Sequence, residues 1–173
     1  ELGCFDETFT SASGVQHPCG LHNVALHNCR IGNNVLIENV ANYIANYRIE
    51  EHCRIQNIQT LEVTGLSRFG NGTEVSVLNE TGGREVPIFN ELSAQLAYII
   101  ALYRHRPNLI ARLKEMIARY GDNVASEMGS VGCHSVLLNA GTIRNVNIGE
   151  YCMIEGASRL ENGSINSNRH DPV

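Results

Sequence analysis

The sequence predicts a mainly β fold: a parallel β-helix, interrupted by a β-hairpin and an αα-hairpin. Two runs carry this expectation. From Cys29, Ile31, Ile37, Tyr43, Ile49, Ile55 and Leu61 fall at steps of six, and near the other end Val136, Thr142, Ile148, Ile154 and Leu160 keep the same step. Four places after the lead residues lie small or apolar ones in most cases: Val35, Ala41 and Cys53 in the first run, Ala140, Val146, Cys152, Ser158 and Ser164 in the second. Tyr47 and Gln59 fit that position poorly. A helix face repeats at 3.6 residues and a strand face at two, so a step of six suits short strands that turn a corner at their ends. Three such pieces make a triangular coil of about 18 residues, stacked on the next as parallel strands roughly 4.8 Å apart. Corners favour residues that tolerate left-handed backbone, such as Gly149, Asn162 and Gly163.

The expected organisation is one domain over residues 1–173, with repeats over about 19–61 and 130–165 and an insertion over about 62–129. Within the insertion, "TEVSVLNETGGREVPIF" reads as a hairpin. Val75 and Val77 alternate, Thr81-Gly82-Gly83 turns, Val86 and Ile88 follow, and Pro87 places the returning strand at an edge. Asn90 is the expected N-cap of a helix carrying Leu92, Leu96, Ile99, Ile100 and Tyr103 on one face, with Glu91 in its first turn. Pro107 opens a second helix with Leu109, Leu113, Met116, Ile117 and Tyr120 on one face, and Gly121 is expected to end it.

Composition excludes several functions. The chain is 43% hydrophobic and 18% charged, with a formal net charge of −5 and no basic block, which argues against nucleic acid and anionic membrane surfaces as partners. Its longest apolar stretch, "LAYIIALY", is too short to span a bilayer. Of six cysteines, Cys29, Cys53 and Cys152 occupy the small inward position, where a free thiol acts as a small hydrophobe; this predicts a reduced, cytoplasmic setting. The cluster "HPCGLHNVALHNC" holds His17, Cys19, His22, His27 and Cys29, but its spacing matches no standard zinc pattern. Local packing and surface histidines account for it, and no metal site or other cofactor is assigned.

The repeat resembles the hexapeptide-repeat, left-handed β-helix proteins, which include many acyltransferases and the carboxy-terminal domains of sugar-nucleotide pyrophosphorylases. "IGNNVLIENVANYIANY", "SVLNETGG", "FNELSAQLA" and "IEGASRL" are similar to a bacterial hexapeptide-repeat family labelled as related to UDP-N-acetylglucosamine pyrophosphorylase. The resemblance implies a left-handed coil, a homotrimer and a nucleotide-sugar or acyl-CoA ligand. It also implies a segment of a longer chain, since this one lacks an initiator Met and ends in mid-pattern at "NSNRHDPV".

Hexapeptide acyltransferases commonly use a His as general base, and the imidazole pKa suits that role. The candidates here are His52 and His134. His134 falls at a small inward position, which reads as a buried, hydrogen-bonded histidine. His52 sits beside that position and points outward at a corner. No acetyltransferase-type His motif with a nearby acidic partner is visible. "NETGGR" lies in a hairpin with no following lysine, and the amino-terminal Gly-rich signature of nucleotidyl-transfer domains is absent. Asn79, Glu80, Arg84, Asn90 and Glu91 form a polar cluster that reads as a solvated turn and helix cap, or as a ligand site with Arg84 facing phosphate. Two functions follow: a domain of a pyrophosphorylase-related protein that binds a nucleotide sugar or acyl-CoA, or a non-catalytic trimerisation scaffold.

Overall fold

The computed structural model describes residues 1–11, 14–77 and 82–173. It divides into two compact units, Glu1–Ser67 with Ser126–Val173, and Arg68–Ala125. The first unit opens with β1 (Thr8–Thr10), β2 (Gln16–Pro18), β3 (Gly20–His22), β4 (Leu26–His27) and β5 (Arg30–Ile31), followed by β6 (Leu36–Ala45), β7 (Tyr47–Ile49) and β8 (Arg54–Glu62). The second unit holds β9 (Glu74–Ser76), β10 (Glu85–Pro87), α1 (Ala94–Leu102) and α2 (Pro107–Val124). The chain then returns to the first unit with β11 (Gly129–Val131), β12 (Val136–Leu138), β13 (Thr142–Ile148), β14 (Met153–Glu155) and β15 (Arg159–Ile165).

β1 and β2 form an antiparallel hairpin, and eleven further strands of the first unit form one parallel sheet. Three rows of aliphatic side chains fill its inner side. Ile31, Ile49, Val131, Ile148 and Ile165 stand in one register; Ile37, Ile55, Leu137 and Ile154 in the next; Ile44, Leu61, Ile143 and Leu160 in the third. All are buried except Ile165 and Leu160, which are half-buried. Parallel pairing suits these β-branched and aliphatic runs because it lets like side chains stack in register.

The expected left-handed β-helix of hexapeptide repeats is corrected by this sheet. Its strands hydrogen-bond into one curled, half-barrel sheet, and the longest, ten residues in β6 and nine in β8, continue past the sixth residue, where a hexapeptide prism turns. The step of six also breaks in both runs. A register shift between Val40 and Tyr43 turns Tyr43 outward, 40% exposed, and puts Ile44 inside. In the second run Leu137 and Ile143 are buried in place of the leads Val136 and Thr142. Tyr47, too large for its expected position, is fully buried there.

In the second unit β9 and β10 pair antiparallel, Glu85 opposite Ser76, as the hairpin reading expects. Val86, Ile100, Ala101 and Ile117 form the core, flanked by Leu92, Leu96 and Leu113. Two boundaries differ from expectation. Helix α1 starts at Ala94, capped by the Ser93 hydroxyl, which accepts from the Leu96 N–H at 3.2 Å. Asn90 instead donates its backbone N–H to Asn71 Oδ1 at 2.9 Å, upstream of the helix. Gly121 does not end α2 but lies inside it, where a Cβ would come within 3.3 Å of the Asn71 carbonyl oxygen. Close approach, not chain reversal, is what that glycine allows. Among the described residues no helix is long and apolar enough to cross a membrane.

Candidate functional site

The corners of the first unit decide where its polar chemistry stands. Among the described residues, Asn23, Asn28, Asn34, Asn39, Asn46, Asn57, Asn139, Asn145 and Asn162 adopt left-handed backbone, as short amide side chains do most readily. Most of these amides bond one another. Asn23 donates to Asn39 at 3.3 Å and Asn57 to Asn139 at 3.1 Å along one edge, and Asn145 donates to Asn162 at 3.1 Å along another. At the remaining edge asparagine gives way to rings.

His52, His134 and Tyr151 have φ of 56°, 58° and 53°, respectively. Their backbone N–H groups donate to the carbonyls of Asn33, Glu51 and Cys133, which sets one above the next. The His52 and His134 rings stack at 4.9 Å with 2° between planes, and Tyr151 continues the column 4.8 Å from His134. A left-handed tyrosine costs roughly 1–2 kcal/mol, so the column is held by its surroundings rather than by local preference. His52 Nδ1 lies 3.3 Å from Glu7 Oε2, with the imidazole half-buried. The carboxylate thus stands within ion-pairing distance of Nδ1.

Glu51, Cys133 and Glu150, the residues just before these rings, line an open cleft of about 580 Å³ together with Arg30, Arg48 and Glu50. Burial pushes the Cys133 thiol up, and the charge and hydrogen bond of Glu150 add to that, with Glu51 acting the same way. These influences favour the thiol form of Cys133 over the thiolate. On another outward row, Glu62 is buried, accepts from Tyr43 Oη at 2.9 Å and pairs with Arg144 Nε at 2.7 Å. This is a strut between strands.

The structure brings the two predicted histidines together. It corrects the inward placement of His134, which is exposed while Ser135 takes the buried position. Asn79 and Glu80 lie outside the described residues. Arg84 and Asn90 are half-buried and Glu91 is exposed, all in the second unit, whereas the histidines belong to the first. Among the described residues no three His, Cys, Asp or Glu side chains converge as a metal site. His17 of the His/Cys cluster lies 3.4 Å from Glu38, and Cys19 is buried.

Glu7, Tyr151 and the two cleft arginines are absent from the sequence reading. Tyr151 has a readable signal: it precedes the inward Cys152 as His52 precedes Cys53 and His134 precedes Ser135. Glu7 has none, because it arrives from a segment outside the repeat.

Comparison with known proteins gives two matches. An "uncharacterized protein" of Treponema pallidum (strain Nichols) is 29% identical over 167 residues, covering 90% of this chain and 23% of that protein. The chain thus spans about a quarter of the length of that relative. No solved structure matches. The family described as "Domain of unknown function (DUF4954)" matches residues 1–173, and the chain belongs to that family.

Proposed function

We propose that this segment binds a nucleotide sugar or acyl-CoA within a longer enzyme related to UDP-N-acetylglucosamine pyrophosphorylases and acyltransferases, with His52 as general base. The observation that carries the reading is the Glu7–His52 pair, at 3.3 Å beside an open cleft. A carboxylate on Nδ1 fixes the tautomer and steadies the imidazolium formed when Nε2 takes a proton from a hydroxyl or amine. His134, stacked flat on His52, holds the ring plane. Six free thiols, three of them buried, suit the cytoplasm as its location. A homotrimer is the assembly proposed, to be measured by light scattering.

The test is thermal unfolding of the full-length protein with UDP-N-acetylglucosamine or acetyl-CoA, followed by turnover assays. A ligand at 100 times its Kd stabilises by about 2.7 kcal/mol. His52→Gln is expected to keep that shift and lose turnover. No shift with either ligand refutes the reading.

One observation favours a non-catalytic scaffold. His52 and His134 share the left-handed corner backbone of the asparagine ladders, whose role is to tie strand to strand. That alternative predicts that His52→Asn is at least as stable as the parent and leaves any turnover unchanged.

A further inference from the structure

In one outward row of the parallel sheet the charges alternate in sign across strands. Glu62 pairs with Arg144, and Arg144 with Glu161. Arg54 is held within its own strand by Gln56, which in turn donates to Glu38 on the next. Another row differs. Arg30 on β5 stands in register with Arg48 on β7, and the row continues through Ser130 to Asn147. The four alternate with inward neighbours such as Ile31, Ile49, Val131 and Ile148, so they face outward. Parallel neighbours lie roughly 4.8 Å apart, and like charges directly opposite each other destabilise a sheet.

Nothing in the row offsets the doubled charge. Ser130 and Asn147 are occupied with each other, the hydroxyl and backbone N–H of Ser130 both donating to Asn147 Oδ1 at 3.2 and 2.9 Å. Arg30 has one distant carboxylate, Glu1 at 4.0 Å, with both side chains largely exposed. Among the described residues Arg48 has no ion pair. Both arginines are among the residues that line the cleft of about 580 Å³.

We infer that the Arg30–Arg48 pair is a binding site for a diphosphate group. Two arginines on neighbouring strands bring two guanidinium forks to one place, and each such fork matches phosphate oxygens bidentately. Glu1, Glu50, Glu51 and Glu150 also line the cleft and oppose any anion, so occupancy requires a ligand that engages both arginines at once. A diphosphate spans two adjacent strands. The inference deepens the nucleotide-sugar or acyl-CoA reading above and rests on it for the remainder of the ligand, since both of those carry a diphosphate.

The experiment is titration calorimetry of the full-length protein with inorganic pyrophosphate and inorganic phosphate, on the parent, Arg48→Gln, Arg30→Gln and, as control, Arg159→Gln. Pyrophosphate is expected to bind more tightly than phosphate, and each single cleft substitution to weaken it about tenfold or more, the loss expected of a charge-assisted hydrogen bond. Arg159, paired with Glu161 on another row, is expected to have no effect. A second readout separates binding from folding. Without ligand, Arg48→Gln is expected to melt at or above the parent temperature, because it relieves like-charge repulsion, yet to lose the stabilisation by pyrophosphate. Pyrophosphate affinity unchanged in both cleft variants, or absent from the parent, overturns the inference. If UDP-N-acetylglucosamine still stabilises both cleft variants as it does the parent, the diphosphate site alone fails and the nucleotide-sugar reading stands. If pyrophosphate binds through the arginines while neither UDP-N-acetylglucosamine nor acetyl-CoA does, the site stands and that reading fails.

Discussion

Removing the Tyr47 hydroxyl tests how the first unit is held together. Tyr47 is fully buried; its hydroxyl donates to the Val146 carbonyl at 2.7 Å and accepts the Val146 N–H at 3.3 Å. The bond links strands on either side of the inserted unit, and Val146 is 2% exposed, so water does not replace the lost partner. Burial also raises the phenol pKa, keeping it a donor. Tyr47→Phe retains the ring and opens space for one oxygen only. The cost is then the Val146 carbonyl and N–H left without this partner, about 2 kcal/mol. At a urea slope of about 2 kcal/mol/M the midpoint falls by about 1 M. Tyr47→Ala adds the loss of the ring, about 3–5 kcal/mol in all. Urea unfolding should be followed by circular dichroism at a strand-sensitive and a helix-sensitive wavelength, because the two units need not melt together. A change below about 0.5 kcal/mol for Tyr47→Phe would refute the claim that this hydroxyl is a buried tie.

Two glycines of the first unit should respond in opposite ways. A Cβ on Gly132 would lie 2.5 Å from the Glu150 backbone nitrogen, so Gly132→Ala is expected to cost about 3 kcal/mol, whereas Gly163 has nothing within 4 Å and Gly163→Ala should be neutral or gain about 0.5 kcal/mol. Equal effects in urea unfolding would contradict the packing. The Cys53 thiol, ordinarily near 9.0, is pushed up to about 12 by burial. A raised folded-state pKa means that its contribution is complete below pH 9 and is lost as pH rises from there toward 12. Cys53→Ala should flatten that part of the alkaline decline, and an identical decline in parent and variant would count against it.

Much of the first unit was legible in the residues, because an inward face records its period locally. Ile31, Ile37, Ile49, Ile55, Ile148 and Ile154 are buried as their spacing implies. The strand pair of the second unit was legible for the same reason: Val75 and Val86 are partners on strands close in sequence, although Thr81 of the expected turn lies outside the described residues. The phase slip at Tyr43 was not, since a register shift depends on which strand lies alongside, and Ile44 rather than Tyr43 meets Leu61. Gly121 read as a helix stop because a lone glycine signals chain reversal, and only packing against Asn71 shows that it serves close approach. The site divides the same way. His52 was visible as a corner residue beside an inward cysteine. Its alignment with His134 and Tyr151 is set by hydrogen bonds between stacked strands on both sides of the insertion, and Glu7 reaches it from a hairpin outside the repeat. The sequence alone determined which side chains go inside, because burial follows the order of residues along each strand. Which polar groups meet, and whether Arg30 faces Arg48, was decided only by the tertiary structure, because charges interact across strands that the chain's own order does not place side by side.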